Sequence, residues 1–449
     1  VLRLHDTALG TIVPLEPRDP GRLAVYVCGP TVQGEPHIGH GRFNVVWDIM
    51  RRYAIWTGLE VRYVSNVTDV DDKIIARAAD EGRSPAEVAA HYEQVWFDTM
   101  DRLGVARPTD TPHATAYVDH MVALISRLVD SGHAYVGGDG VYFDSESIEG
   151  YGLLARQPID QLRAGARVDP SEEAGKRSPI DFALWKFAKE GEPSWDAPWG
   201  AGRPGWHTEC VVMSLDILGE DFDLHTGGLD LAFPHHENER AQAVALSRPF
   251  SRHWAHHGMI VDETGEKMSK SVGNVFSLQD LLAAHDPRAF RLQVLQSHYR
   301  SPLAVSESSI AAAEAGVQRL DVFAREFATA RGQPADQAAL ARFRERMDDD
   351  LDTPNAVAGA FDLVRDARAS SGQQATALAA AVFEIFEDAL GLPLRSEATE
   401  VPPAALAKAR ERDAARSARD WVKADALRAE LQADGWIVED TPGGTTIRR

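Results

Sequence analysis

The chain of 449 residues holds two cysteines, and each stands in company that suits a metal ion. Cys28 opens the turn Cys28-Gly29-Pro30, and Cys210 closes Gly205-Trp206-His207-Thr208-Glu209-Cys210. Further along comes Pro234-His235-His236-Glu237-Asn238-Glu239. Two cysteines in so long a chain cannot form a disulfide framework, and a cysteine taken singly is ordinarily a small hydrophobe of the core. If 234–239 is helical, His235 and Glu239 lie four residues apart on one face and can share an ion, while His236 points elsewhere. Cys28, Cys210, His235 and Glu239 would then make a tetrahedral zinc set. Because these ligands are scattered along the chain, an ordinary core or helix-surface cluster stays open as the alternative. Zinc would have a purpose here. It binds thiolates, does no redox chemistry, and lets an incoming thiol deprotonate and join it. A hydroxyl in place of that thiol is a poor ligand, a distinction that an apolar pocket makes only weakly.

Two further strings suit phosphates. In His37-Ile38-Gly39-His40 the two imidazoles stand three residues apart, where a helix begins, and the helix N-terminus adds main-chain donors. Gly39 leaves room for a nucleotide's close approach. In Glu266-Lys267-Met268-Ser269-Lys270-Ser271, followed by Val272-Gly273-Asn274, the lysines suit the charge that moves toward a leaving pyrophosphate. The bland readings are a histidine-bearing cap and a solvated basic turn. No G-x-x-x-x-G-K loop and no kinase signature occurs, so an ordinary NTPase or kinase finds no support.

The elements that must position these residues follow from the apolar pattern. Leu23–Val27 reads as a parallel strand ending at Cys28, where ligands of open α/β sheets gather. A helix over Asn44–Trp56, a strand over Glu60–Val64 and a helix over Val70–Ala79 continue a doubly wound pattern. Residues 115–132 read as a helix. Gly138–Phe143 and the segment around Leu162–Asp181 read as an irregular insertion. The α/β pattern is expected again from Phe182, with a strand at Gly219–His225, a helix at Pro234–Leu246 and a strand at His253–Val261. The texture then becomes helical over 309–330, 335–349, 354–370 and 375–388, as in a bundle. A joint at Pro393–Pro403 precedes a helix or helix pair at Ala404–Gln432 and a hairpin whose arms, Trp436–Glu439 and Thr445–Arg449, flank Pro-Gly-Gly. The expected fold is α/β: a doubly wound parallel-sheet nucleotide-binding domain over 1–300 with an insertion around 133–200. A helical bundle over 301–392 and a small C-terminal α+β module over 404–449 complete it.

Composition bounds the function. The net charge of −21 argues against a whole-surface nucleic-acid binder. The last 49 residues, however, carry nine Lys or Arg against eight Asp or Glu, net +1, leaving −22 on the first 400. No stretch is long and apolar enough to span a bilayer, and Val1–Leu4 with His5-Asp6 lacks the regions of a secretory signal. A cytoplasmic location without membrane contact is expected.

Taken together and in order, Cys28-Gly29-Pro30-Thr31-Val32, His37–His40, Asn66–Lys73, Gly202–Cys210, Phe233–Glu239 and Lys267–Ser271 resemble the cysteinyl-tRNA synthetase family. The similarity runs along nearly the whole chain. It implies one zinc ion per chain on Cys28, Cys210, His235 and Glu239, which selects cysteine by its sulfur. It implies a cysteine pocket with Trp206 as a wall, Thr68 near the polar groups and His225 at the border. Gly29, His37, Gly39, His40, Asp230, Lys267 and Lys270 would bind ATP with Mg2+, and His37, His40, Lys267 and Lys270 would stabilise the reacting phosphates. The implied partners are cysteine tRNA, L-cysteine and ATP, and the implied state is a monomer. Gln33-Gly34 and Thr226 depart from the family's usual residues, and neither is a proposed ligand. Rival readings are a cysteine ligase acting on a small amine, as in mycothiol biosynthesis, a non-catalytic tRNA-binding homologue, and a zinc hydrolase. The C-terminal segment Ala404–Arg449 favours the tRNA enzyme over the small-acceptor ligase.

Overall fold

The computed structural model describes residues 1–157, 161, 175–261, 277–396 and 403–448, the last stretch without 435, 442 and 443. Its central sheet has four parallel strands: β1 (Arg22–Val27), β2 (Glu60–Ser65), β3 (Phe222–Gly228) and β4 (Ser251–His257), in the order β4-β3-β1-β2. Val25 pairs with Tyr63 on one side and with Leu224 on the other. Leu23, Val25, Tyr26 and Val27 are all buried, as expected of a strand covered on both faces. The chain runs from β1 outward to β2 and later returns to lay β3 on the opposite side of β1. The crevice beyond the carboxyl ends of β1 and β3 is thus the topological switch point, where such sheets bind ligands. Cys28 follows β1, and Gly227-Gly228 ends β3.

Helix α1 runs over Ile38–Trp56, six residues longer at its start than the apolar period indicated. The added turn is fixed by local hydrogen bonds. His37 Nδ1 accepts from the Gly39 N–H at 3.1 Å, and His40 Nδ1 accepts from the His37 N–H at 3.2 Å. These bonds satisfy end donors that would otherwise lack partners. Histidine is not among the usual capping residues, so the apolar period alone begins only at Asn44, while the helix starts at the His37–His40 string, where the sequence placed a helix N-terminus. Val45, Val46, Trp47, Ile49, Met50 and Tyr53 form the buried face of α1. Helices at Asp72–Glu81 and Pro85–Arg102 follow β2 and its loop, and Val118–Asp130 realises the helix expected at 115–132.

The insertion is more regular than its composition suggested. Ala134–Val136, Gly140–Phe143, Phe182–Phe187 and Gly202–Pro204 form an antiparallel four-stranded sheet in that order. Phe182–Phe187 therefore belongs to the insertion and does not restart the α/β pattern. Its run Phe182-Ala183-Leu184-Trp185 is buried throughout, and a short buried run looks alike in a parallel and an antiparallel strand. Most of the Leu162–Asp181 segment lies outside the described residues. The last insertion strand leads through Gly205 into helix α2 (Trp206–Ile217), which carries Cys210.

Beyond β3, a turn at Leu229–Leu231 and a π-type turn at Ala232–His236 precede helix α3 (Glu237–Ala245). Further on are helices Glu307–Glu326, Gln337–Asp348, Thr353–Ala369 and Gly372–Phe383, the last continued by a π-type turn over Glu384–Ala389. The Asp336 and Asp352 side chains cap two of them. By compactness the chain forms two units, Val1–Arg319 with Thr329–Leu394, and Leu320–Ala328 with Arg395–Arg449. Within the second, helices Pro403–Ser417 and Trp421–Ala433 and the hairpin Ile437–Thr441/Gly444–Arg448 close on Ala405, Ala409, Leu431, Trp436 and Val438. Residues 397–402 of the expected joint and the Pro442-Gly443 tip lie outside the described residues.

Candidate active site

Four segments bring four candidate metal donors together at the switch point: the end of β1 with Cys28, the first turns of α2 with Cys210, the π-type turn with His235 and the start of α3 with Glu239. The Cys28 and Cys210 sulfurs are 3.5 Å apart, and Cys28 Sγ is 3.4 Å from Glu239 Oε1. His235 Nε2 is 3.7 Å from Cys210 Sγ and 3.1 Å from Glu239 Oε1. A tetrahedral zinc site with ordinary Zn–S, Zn–N and Zn–O bonds has ligand-to-ligand edges of about 3.3–3.8 Å. The four edges match that figure to a few tenths of an ångström. All four residues are buried. Burial pushes the Cys28 thiol up and Cys210 to about 11, and it holds the His235 imidazole well below its usual range. Neutral imidazole is the ligand form, and a cation in the cage is what would turn the buried thiols into thiolates.

A second layer of histidines surrounds the cage. His225 Nε2 is 2.8 Å from Glu239 Oε2, and its ring stacks on Trp254 with centroids 4.7 Å apart. His225 is fully buried and lies behind Glu239. The expectation that His236 points elsewhere is corrected. Its Nε2 is 3.3 Å from Cys28 Sγ, and its Nδ1 is 2.8 Å from His256 Nε2, whose Nδ1 meets Thr7 Oγ1 at 2.7 Å. The reason is the backbone before α3. Phe233 is extended and the turn over Ala232–His236 is of the π type, so His235 and His236 approach the two sulfurs from different sides. Cys28, His225, His236 and Glu239 also lie close enough to hold an ion. The set with both thiols is the better zinc site, because soft ligands suit that metal. His236 and His225 then orient Cys28 and Glu239 from outside, as partners of metal ligands do.

The residues expected around the substrate frame this cage. Trp206 is partly exposed and stacks on His235, with centroids 4.0 Å apart at 23°. Thr68 is buried and donates through Oγ1 to Glu209 Oε2 at 2.6 Å. Glu209 was not singled out from the sequence. Burial raises its carboxyl well above the usual carboxylate range, against the opposing Thr68 hydrogen bond. Asn66 Oδ1 accepts from the Gly29 N–H at 2.8 Å, and a side chain on Gly29 would meet the Asn66 carbonyl oxygen at 1.6 Å. Glycine at 29 is therefore enforced by backbone closeness.

The first phosphate motif lies at the head of α1. The His37 and His40 rings stack with centroids 3.7 Å apart at 18°, and His40 meets Trp96 edge-on at 5.0 Å. A side chain on Gly39 would meet the His37 ring at 2.9 Å, so this glycine permits the stack. Asp230 is exposed just past the end of β3, with Oδ1 close to Gly228. Lys267 and Lys270 lie outside the described residues. Arg42, also not singled out from the sequence, is buried two residues beyond His40 and bonds to three main-chain carbonyls. Neither Glu209 nor Arg42 sits in a spacing that betrays a role. A lone glutamate beside Cys210 and a lone arginine in a helix read as surface residues.

The chain matches the family model of the tRNA synthetases class I (C) catalytic domain over residues 14–315. It matches the DALR domain over 342–395 and the cysteinyl-tRNA ligase anticodon binding domain over 398–448. It is 44% identical to the cysteine–tRNA ligase of Halorhodospira halophila, with 100% of both chains covered. It is 44% identical to that of Thermus thermophilus, covering 100% of this chain and 99% of the relative. Among solved structures, methionyl-tRNA synthetase of Mycobacterium tuberculosis in complex with methionyl-adenylate aligns with a TM-score of 0.58 and 16% identity, over 82% of this chain and 89% of that one. The LeuRS–tRNA–LeuAMS complex of Agrobacterium radiobacter aligns with a TM-score of 0.62 and 13% identity, over 84% of each. At such identities the likeness shows the fold.

Proposed function

The chain belongs to the cysteinyl-tRNA ligase family of class I aminoacyl-tRNA synthetases, and from that premise we propose how its residues divide the work. The reaction is the ATP-dependent joining of L-cysteine to tRNA through cysteinyl-adenylate. Cys28, Cys210, His235 and Glu239 hold one zinc ion; the observation that carries this is the set of four tetrahedral edges, 3.1 to 3.7 Å, with both thiols included. Zinc, when bound, supplies a soft Lewis acid that distinguishes a thiol from a hydroxyl.

Trp206 walls the cysteine pocket against His235. Thr68, fixed by Glu209, lines its floor, and His225 fixes the Glu239 carboxylate. In activation, a carboxylate oxygen of cysteine attacks the α-phosphorus of ATP and the bond to pyrophosphate breaks. Little proton transfer is needed, so alignment and charge stabilisation supply most of the catalysis. His37 and His40 offer hydrogen-bond donors at the head of α1, where the helix adds its own positive end. Lys267 and Lys270 neutralise the leaving pyrophosphate together with Mg2+. Gly29 lets the Asn66 backbone close on the turn after β1 and Gly39 permits the His37 stack, so both shape the ATP end of the site, and Asp230 receives a cationic or hydroxyl group of the adenylate. In transfer, a terminal ribose hydroxyl of tRNA attacks the adenylate carbonyl and AMP leaves. No side chain is assigned as base for that step.

By domain, 1–300 activates, the helices of 301–392 grip the tRNA stem, and 404–449 reads the anticodon. The family resemblance supports a monomer, which the mass in solution tests. Among the described residues no helix is long and apolar enough to cross a membrane, and the proposed location is the cytoplasm. The deciding experiment is cysteine-dependent ATP–pyrophosphate exchange followed by transfer of labelled cysteine to purified cysteine tRNA. Both should occur. Exchange without transfer would point instead to a small amine acceptor.

A further inference from the structure

Asp72 opens the helix Asp72–Glu81, near the end of the string Asn66–Lys73, and its side chain is half exposed. Two cations meet it. Lys186 Nζ donates to Oδ2 at 2.8 Å, and Arg203 Nη2 donates to Oδ1. Arg203 is 3% exposed, and its Nε reaches Glu192 Oε2 at 3.4 Å. Burial would lift the Asp72 carboxyl, yet Lys186 and Arg203 outweigh it and hold the group below its ordinary value.

Lys186 and Arg203 come from adjacent strands of the insertion sheet, where they are direct register partners. Opposed residues of an antiparallel pair carry their side chains on one face, and like charges there repel. The strands are also pressed close. A side chain on Gly202 would meet the Lys186 carbonyl oxygen at 2.2 Å, and one on Gly205 the Ala183 carbonyl oxygen at 2.0 Å. Two opposed cations thus form a socket for an anion, and Asp72 fills it from outside the sheet.

The segment that ends at Asp72 and the segment that begins at Arg203 are joined at two further points. Asn66 Oδ1 lies 3.7 Å from Cys210 Sγ, and Thr68 Oγ1 donates to Glu209 Oε2 at 2.6 Å. Residues 66, 68 and 72 meet 210, 209 and 203 in turn, so the two segments run in opposite directions along each other. Trp206 lies between the second tie and the third, stacked on His235.

We propose that Asp72 is a positioning residue for cysteine binding: docked between Lys186 and Arg203, it fixes the chain entering α2 against the 66–72 segment and so sets Trp206 relative to Thr68. This rests on the pocket roles given above to Trp206 and Thr68. The rival role for Asp72 is local, an acidic residue that favours the first turn of its own helix.

The test is the KM for cysteine in ATP–pyrophosphate exchange, with the full-length, zinc-loaded Asp72→Asn variant. The expected result is a rise of about tenfold or more, with kcat, the KM for ATP and zinc content within about twofold of the parent. A KM does not depend on the fraction of enzyme folded, so a less stable preparation still reports. A residue serving its helix alone would lower the melting temperature and leave the KM for cysteine unchanged, which overturns the proposal. A loss of zinc in step with the rise also overturns it, because the effect would then come through the cage. The measurement is repeated in Arg203→Met, where no guanidinium remains to dock. If Asp72 acts through the socket, the two effects are strongly less than additive in free energy, and Asp72→Asn raises the KM by under about threefold there. Equal rises in both backgrounds overturn the proposal. If Trp206→Ala leaves the KM for cysteine unchanged, the pocket assignment falls and the proposal with it. If Trp206→Ala raises that KM while Asp72→Asn does not, only the proposal falls.

Discussion

The sulfur end and the phosphate end of this site are built on opposite principles. At the sulfur end the four candidate donors are buried, and rings stand behind or over three of them: His225 behind Glu239, His236 beside Cys28 with His256 behind it, and the partly exposed Trp206 over His235. At the phosphate end, His37, Gly39 and His40 are half-buried at a helix head, and their geometry comes from local hydrogen bonds and a ring stack. The contrast fits the two tasks proposed for the two ends. Telling sulfur from oxygen needs a rigid, dry cage whose ligands cannot adapt to the wrong atom. Stabilising a leaving pyrophosphate needs donors placed where charge develops, open to a ligand that must enter and depart.

The strongest way to break that comparison is to damage the cage by one atom. Cys210→Ser replaces a soft ligand with a hard one and leaves the Cys28, His235 and Glu239 donors unchanged. Zinc content and cysteine affinity should fall together, with kcat/KM for cysteine down by about 10³-fold or more, since loss of even a group behind a metal ligand costs about 10–100-fold. Metal analysis and pyrophosphate exchange read the two in parallel. A variant with full zinc and full activity would remove Cys210 from the cage.

At the other end the same kind of cut should touch a different parameter. His40→Ala removes one proposed phosphate donor and the partner of the His37 stack, and it replaces none of the four cage donors. Loss of a preorganised donor costs about 2.7–4 kcal/mol, or roughly 10²–10³-fold in kcat. Zinc content and cysteine KM should stay as they were. If His40→Ala depleted zinc, the two ends would not be separable, and the division of labour would fail.

How far each end could be read from sequence follows the same divide. The cage needed long-range closure, so the residues alone offered only candidates: the helical spacing of His235 and Glu239 is short-range, but the scattered cysteines left an ordinary core cluster open, and the family resemblance supplied the set of four. What was illegible was the backing: no period places His225 behind Glu239, and the π-type turn that swings His236 onto Cys28 defeats the i,i+4 argument that located its neighbour. The parallel strands were visible as apolar runs. The insertion sheet was misjudged, because Phe182-Ala183-Leu184-Trp185 is buried on both faces and so carries no alternation to show that the strand is antiparallel. The start of α1 was legible from the His37–His40 string as the place where a helix begins, although the apolar period shows only from Asn44, because an imidazole does the work of a capping hydroxyl or carboxylate.

The smallest expected effect concerns two neighbouring imidazoles, one behind each end. Burial holds both His256 and His257 down to about 3, aided by His225 for the first and by Arg42 for the second. Their unfolded value is about 6.5. The unfolded chain therefore takes up protons that the folded chain refuses. Stability is full above pH ~6.5 and is lost as pH falls from there through about 3, at roughly 1.4 kcal/mol per pH unit for each imidazole. His257 packs edge-on against Phe43 and Trp47 of α1, whereas His256 touches His236 of the zinc cage. Urea unfolding from pH 7 to 5 should show His257→Leu flattening the acid slope by about 2 kcal/mol at pH 5, equally with and without zinc. His256→Gln should flatten it by a different amount in the two states, because its hydrogen-bond chain ends on a zinc ligand. Equal behaviour of both variants in both states would mean that the cage is insulated from its backing, and the rigidity attributed to the second layer of histidines would have to come from the backbone instead.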